Sequence, residues 1–553
     1  MRKRTLRSVG AAVALGALLL AGCSATTPEP GNTNGGDGPA VAPETAADVQ
    51  PGYFGDNEGS GEPVEGGTFT FAYSGSILSF DPATQQYAGT SGGNEAAAVY
   101  GILAEYNSEA GAYEPAMAET LEANDDFTTW TIGLRDGVTF TDGTPYDAEA
   151  VKFNMDRLAA SGQGWSALWN QMVTGVTAVD ATTVEVTLSS GWADFGFLLS
   201  QAPGMIASPA AIEESGEDYL NNPVGAGPFV LDRWTPGSTL QVSANEDYWD
   251  GKPYLDSIIF QTVTGGDQAA ADAFSSGGAQ GVYSGTLPIA IGFLDPADEL
   301  NGYARVVSTA SVLLMNSGTP GKPDAPTTDL NVRKAVAQAI DTAVVDARTN
   351  DGLGIPSSGL TMFDAPSMWA NDAAKLPFDL EAAQASLELA KADGFDGVID
   401  LLYTQSAEAS ALTVSALLEA AGFEVTTSPM ASTGDMINAV LIEKNYDLAM
   451  YGWPTPDEPG ELFTNLLGRI GVQGNPTGFF SEALQQSLTD FAATADETEK
   501  RAALTRVQEE FTAGAPAVPL SGGIGVAAWA PNAHGITVSS RMTLDFSKAW
   551  LAE

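Results

Sequence analysis

The chain has 553 residues, with 70 Asp and Glu against 23 Lys and Arg, a formal charge of -47, one cysteine and one histidine. Charge of that sign and size repels nucleic acid and anionic membrane surfaces, which excludes both as electrostatic partners. A lone cysteine excludes an internal disulfide, and a lone histidine removes most metal-centre and triad chemistry.

Arg2, Lys3, Arg4 and Arg7 precede an apolar run over residues 9–21 that ends in Leu-Ala-Gly-Cys23. Basic segment, short apolar segment and small residues in that order form a secretory signal, and the run is shorter than the roughly 20 residues a membrane span needs. The cysteine in this setting resembles the lipobox of bacterial lipoproteins. That resemblance implies a signal peptide over residues 1–22, lipidation of Cys23, and a location on the outer face of the cell membrane. An ordinary signal peptide that happens to contain a thiol is the alternative.

Residues 23–65 are rich in Gly, Pro, Thr and Asn without apolar periodicity, and are expected to be a flexible tether. No Lys or Arg occurs between Arg7 and Arg135, so nothing in this stretch would hold it to anionic lipid.

Order is expected from Gly66, where Phe69, Phe71 and Tyr73 alternate with smaller residues as in a half-buried strand. A helix is predicted over residues 94–103. Trp130, Ile132 and Leu134 alternate again. Asp136-Gly137 then predicts a hairpin turn, with Val138 and Phe140 on the returning strand. Asp147 is placed to cap a helix burying Val151, Met155 and Leu158. Strands follow at 183–188 and 240–243, and Leu313-Leu-Met-Asn316 reads as the end of a buried strand. Asp329 caps a helix with Val332, Ala335, Val336, Ala339 and Ile340 on one face. Beyond it, strands at 397–403, 424–429 and 446–453 alternate with helices at 380–393, 407–421 and 433–444, which argues for a largely parallel sheet. A last helix is expected at 497–511, before the closing strands.

Four blocks in this order carry a family resemblance: Leu134-Arg-Asp-Gly-Val-Thr-Phe-Thr-Asp-Gly-Thr-Pro145, Gly225-Ala-Gly-Pro-Phe229, Asn245-Glu-Asp-Tyr-Trp249, and Leu330-Asn-Val-Arg-Lys-Ala335 through Ala339-Ile-Asp341. They resemble the family 5 extracellular solute-binding proteins of ABC importers, the family of the oligopeptide-, dipeptide- and nickel-binding proteins. The resemblance implies an α/β, two-lobed periplasmic-binding-protein-like fold of type II, with an extra inserted subdomain, closing around a ligand cleft. Lobe I would comprise residues 66–90, 181–307 and 511–553, the inserted subdomain residues 91–180, and lobe II residues 308–510. It also implies a monomeric receptor rather than an enzyme, with no cofactor, whose partners are a short peptide and the permease subunits of an ABC transporter. An oligosaccharide is the alternative ligand, and an exported hydrolase the less favoured reading.

The candidate ligand-binding residues follow from the same resemblance. In peptide-binding members a strand ending in Gly-Trp is followed by an aspartate that neutralises the peptide's α-ammonium. Here that strand end is Tyr451-Gly452-Trp453, and the acidic residues are Asp457 and Glu458. The usual aspartate position holds Pro456, so either carboxylate could serve, and an acidic surface loop is the alternative. The resemblance puts the opposite wall at Gln86, Tyr87 and Ala88, just past Asp81-Pro82, with ordinary lobe packing as the alternative, and makes Asn316 at the cleft edge a weaker candidate. Trp165 and Trp169, at helical spacing, would stack a sugar if they faced the cleft, but such a pair is more often core. His534 is expected to be a packing or loop residue.

Overall fold

A computed structural model describes residues 42–59, 61–364, 366–373 and 375–552. The expected signal peptide over residues 1–22 and Cys23 lie outside these described residues.

The organising feature is a twelve-stranded sheet centred on two long antiparallel strands, Asn301–Met315 and Ala517–Trp529. On one side lie Leu448–Gly452, Val398–Thr404 and Glu424–Met430, the last two each parallel to a neighbour, as the alternation of strand and helix predicted. On the other side lie Gly281–Ser284, Thr68–Tyr73, Ser257–Thr262, Thr239–Ala244 and Phe229–Thr235. Both long strands therefore serve two half-sheets. Their pairing is regular from Asn301↔Trp529 to Val307↔Gly523, then shifts register twice around Ser311↔Ser521. Gly522 sits at this irregularity, where a Cβ would meet the Ser308 carbonyl oxygen at 2.3 Å.

The predicted helices form where apolar residues recur on one face. Asp329 accepts from the Asn331 amide at 2.7 Å, and Val332, Ala335, Val336 and Ala339 of Leu330–Ala339 are buried. Asp147 accepts from the Ala150 amide at 3.0 Å and starts Ala148–Ser161, with Val151, Met155 and Leu158 inward. The helix begun at Thr433–Ile437 continues as a wider π turn over Asn438–Ile442.

Two expectations need correction. Val138 and Phe140 do not form a returning hairpin strand. Thr129–Leu134 pairs with Ala118–Ala123 and Thr183–Leu188 in a separate four-stranded sheet, while 138–146 closes on itself through Phe140 N–H to Thr144 O and Tyr146 N–H to Val138 O. Both edges of Thr129–Leu134 are already paired, by the strand just before it and by the distant Thr183–Leu188, so a returning strand at Val138 has no edge to join.

The second correction concerns the expected tether, which is ordered where it is described. Ala46 and Val49 are buried, and Gly52–Phe54 pairs antiparallel with residues 302–304 of the long strand. Three strand residues are too few to show a period, so the order left no pattern in the sequence.

Among the described residues no helix is long and apolar enough to cross a membrane.

Candidate functional site

A cavity of about 450 Å³ lies against the first half of the long strand Asn301–Met315. Tyr303 and Arg305 rise from that strand, Asp457 and Glu458 come from the loop after Leu448–Gly452, Tyr106 from the hairpin Ala104–Pro115, and Arg541 from the C-terminal segment. Pro51, Gly52 and Tyr53 of the ordered N-terminal segment complete the wall.

The loop is held by the strand it follows. Trp453 N–H donates to Ala310 O at 3.0 Å, Thr455 N–H to Thr309 O at 2.9 Å, and Thr309 N–H to the Thr455 hydroxyl at 2.9 Å. Val307 bridges to Pro456 just beyond. These contacts fix where the two carboxylates emerge.

Asp457 Oδ1 accepts from the Ser367 hydroxyl at 2.6 Å and the Met368 amide at 3.0 Å, and the Asp457 carbonyl accepts from the Trp369 indole at 2.8 Å. Both hydrogen bonds to the carboxylate fall on Oδ1, so Oδ2 retains acceptor capacity. Burial pushes the Asp457 carboxyl above its ordinary pKa, with Ser367, Met368 and the charges of Arg305 and Arg501 opposing.

Glu458 is enclosed. Its Oε1 accepts from the Tyr113 hydroxyl at 2.7 Å and from the Ser540 hydroxyl. Burial, reinforced by the nearby Glu461 charge, pushes its carboxyl up to about 7.

Two arginines balance these acids. Arg305 pairs with Glu461, whose side chain is 7% exposed. Burial opposes the Arg305 charge, but Glu461 and Glu458 outweigh it and raise its pKa. Arg541 approaches the other Glu461 oxygen at 3.6 Å, lies 5.5 Å from the Trp165 ring centroid and donates to Tyr87 O at 3.1 Å. Arg541 and Met542 both take left-handed φ, 54° and 62°, a strained pair of non-glycine residues that sets the arginine's direction. The chamber thus offers a carboxylate with a spare oxygen beside two guanidinium groups.

The sequence candidates divide. Asp457 and Glu458 line the cavity. Gln86 is exposed and donates to Gly164 O at 2.7 Å, while Tyr87 is buried and donates to Ser79 O at 2.8 Å. The Tyr87–Ala88 stretch meets the site through backbone only, by Tyr87 O accepting from Arg541 and the adjoining Gly89 N–H donating to Arg541 O at 3.1 Å.

Asn316 is fully buried and spends its side chain on the chain itself. It donates to Tyr446 O at 2.8 Å and Lys322 O at 3.3 Å, and accepts from the Gly318 and Thr319 amides at 2.9 and 2.8 Å. Tyr451 lies 5.1 Å from the Arg469 guanidinium, Gly452 pairs with Ser311, and Trp453 is buried against Phe511. Trp165 and Trp169 are core residues against Phe197 and Phe195. His534 is buried on the Trp550 ring, with Nδ1 2.8 Å from Asp56 O.

Sequence reasoning missed Arg305, Arg541, Tyr303 and Tyr53. A usable signal existed only for Arg305, a rare basic residue inside an alternating apolar strand.

"Probable D,D-dipeptide-binding periplasmic protein DdpA" of Escherichia coli (strain K12) is 26% identical over 406 residues, 70% of this chain and 75% of its own length. The structure of DppA from Helicobacter pylori in complex with the peptide STSA superposes with a TM-score of 0.71 at 21% identity, covering 89% of this chain and 99% of that one. The oligopeptide-binding protein AppA from Bacillus subtilis, in complex with a nonapeptide, gives 0.70 at 17% identity, covering 89% and 100%. These two likenesses establish the fold, the type II periplasmic-binding-protein architecture. The model of "Bacterial extracellular solute-binding proteins, family 5 Middle" matches residues 112–473, and the chain belongs to that family, the solute receptors of ABC transporters.

Proposed function

We propose that this chain captures short peptides outside the cytoplasm and delivers them to the permease of an ABC importer, held at the membrane by lipid on Cys23. What supports the ligand assignment is the chamber's mixed charge: Asp457 would meet an α-ammonium, and Arg305 and Arg541, which share Glu461 between them, would meet a carboxylate. The ligands named for the relatives, a D,D-dipeptide, the peptide STSA and a nonapeptide, agree with a peptide and differ in length.

In this reading lobe I and lobe II divide near residues 307–311 and 511–523, and the register shifts of the two long strands form the hinge. Contacts across that division are those of a closed form. They include Tyr113 and Ser540 with Glu458, Arg305 with Glu461, and Asp194 with Lys500. The burial of Trp165 and Trp169 removes the feature that would have favoured an oligosaccharide.

Titration calorimetry with short peptides tests the assignment. Asp457→Ala is expected to weaken binding by about tenfold to a hundredfold, since a hydrogen bond to a charged group is worth about 1.5–3 kcal/mol. Parent protein that binds oligosaccharides but no peptide, or an Asp457→Ala variant of unchanged affinity, refutes it.

A further inference from the structure

The N-terminal segment raises a question that membership of the family does not answer: why a stretch expected to be a leash is fixed along the ligand chamber. It is fastened at two places. At one end Ala46 N–H donates to Leu353 O at 2.8 Å, and Ala46 and Val49 join a buried apolar cluster with Val282, Val526 and Ala528. At the other, Asp56 N–H donates to Asn301 Oδ1 at 2.6 Å, Asn57 Nδ2 to Ile536 O at 2.8 Å, and Gly535 N–H to Asn57 O at 2.8 Å. Adding a Cβ at Gly59 would place it 2.7 Å from the Trp550 ring, so this end lies flush on the C-terminal segment. Between the fastenings, Gly52–Phe54 adds to the edge of the strand that carries Tyr303 and Arg305.

The span borders two cavities. The chamber of about 450 Å³ contains the Asp457, Arg305 and Arg541 groups. A second, of about 540 Å³, is lined by residues 55–58, Glu105, Asn107, Gly535 and Lys548. Tyr53 and Tyr106 border both. The Tyr53 ring meets Tyr303 edge-on at 5.0 Å, and its hydroxyl oxygen accepts from the Val538 amide at 2.8 Å, so it is held from both sides. The first chamber alone is at the small end of the roughly 300–1,000 Å³ typical of ligand sites.

Resting on the peptide reading above, we infer that residues 46–59 are a strap whose Tyr53 partitions the ligand groove and sets the length of peptide accepted. Short peptides fit the inner chamber whole. Longer ones are excluded because their continuation runs into the Tyr53 ring, which is fastened too firmly to yield. Beyond the partition, Asp56, Glu58 and Glu105 against Lys548 make the outer cavity acidic, and Glu109 borders both cavities, so a chain admitted there gains most from basic residues.

The test is calorimetric affinity of full-length protein for alanine di-, tri-, penta- and octapeptides, and for an octapeptide with lysines in its second half. The parent is expected to bind di- and tripeptides at least tenfold more tightly than the octapeptide. Tyr53→Ala should raise octapeptide affinity at least tenfold, more so for the lysine version. Tyr53→Leu, which keeps an apolar contact on Tyr303, should move the same way if the alanine variant does not fold. A parent that binds all lengths equally, or variants that retain the parent's length profile while binding short peptides, overturns the partition and leaves the peptide reading standing. A parent that binds no peptide of any length overturns both.

Discussion

Removing the Asp194 carboxylate should open the receptor. Lys500 Nζ donates to both Asp194 oxygens at 2.7 Å, with side chains only 7% and 10% exposed. The pair joins residues 306 positions apart, on either side of the proposed lobe division. Its neighbours also cross that division, with Ala193 N–H donating to Ala492 O at 2.7 Å and Trp192 against Phe463 at 5.3 Å. At 2.7 Å and an effective dielectric constant of 20 the Coulomb attraction is about 6 kcal/mol. Desolvation offsets it: burial raises the Asp194 carboxyl above its ordinary pKa even with the lysine in place. Leaving one charge of such a pair alone costs about 3–5 kcal/mol. In Asp194→Ala the stranded ammonium escapes that cost by opening the lobes to water. Closure then loses the same free energy, and ligand affinity falls by about two to three and a half orders of magnitude. Asp194→Leu combined with Lys500→Met removes both charges and keeps the volume filled, which is often neutral or stabilising. Calorimetry on the parent, both single variants and the double variant reads this directly. Single variants within tenfold of the parent, or a double variant as weak as either single one, would refute the reasoning.

The buried carboxyls make stability pH-dependent in a defined window. Burial raises Glu458 and Glu95 to about 7 from an ordinary 4.5, so the folded state binds more protons than the unfolded state between those values, and stability falls as pH rises from 4.5 to 7. The melting temperature should be higher at pH 5.5 than at pH 8, and Glu95→Gln and Glu458→Gln should each flatten the slope; a profile rising across that window contradicts the assignment. Asn316→Ala should lower the melting temperature while peptide affinity stays put, because its four hydrogen bonds brace buried backbone and each orphaned group costs about 1–3 kcal/mol. A loss of affinity without a loss of stability would return Asn316 to the ligand site.

Legibility in the sequence followed the range of the interactions. Where one face of one element decides the structure, as in Leu330–Ala339 with its Asp329 cap, the spacing of apolar residues was enough. The hairpin expected at Asp136-Gly137 failed because both edges of Thr129–Leu134 are taken, one by the preceding strand Ala118–Ala123 and the other by the distant Thr183–Leu188, which leaves no edge for Val138 and Phe140. The site divided in the same way. Asp457 and Glu458, which line the cavity, could be named because they follow a recognisable strand end, and position along the chain was the whole of the argument. Arg541 could not be found that way, since its direction depends on a left-handed turn at Arg541–Met542 and on Gly89 N–H donating to its carbonyl. The N-terminal strap combines both difficulties, three strand residues and partners some 250 and 480 positions away. Its composition suggested a flexible tether, which the pairing of Gly52–Phe54 and the burial of Ala46 and Val49 contradict. What composition cannot show is that such a segment becomes ordered by borrowing an edge, and here the edge it borrows is the strand carrying Tyr303 and Arg305. Under the proposed partition, selection on ligand length would act on this segment without touching the charged groups proposed to hold the ligand.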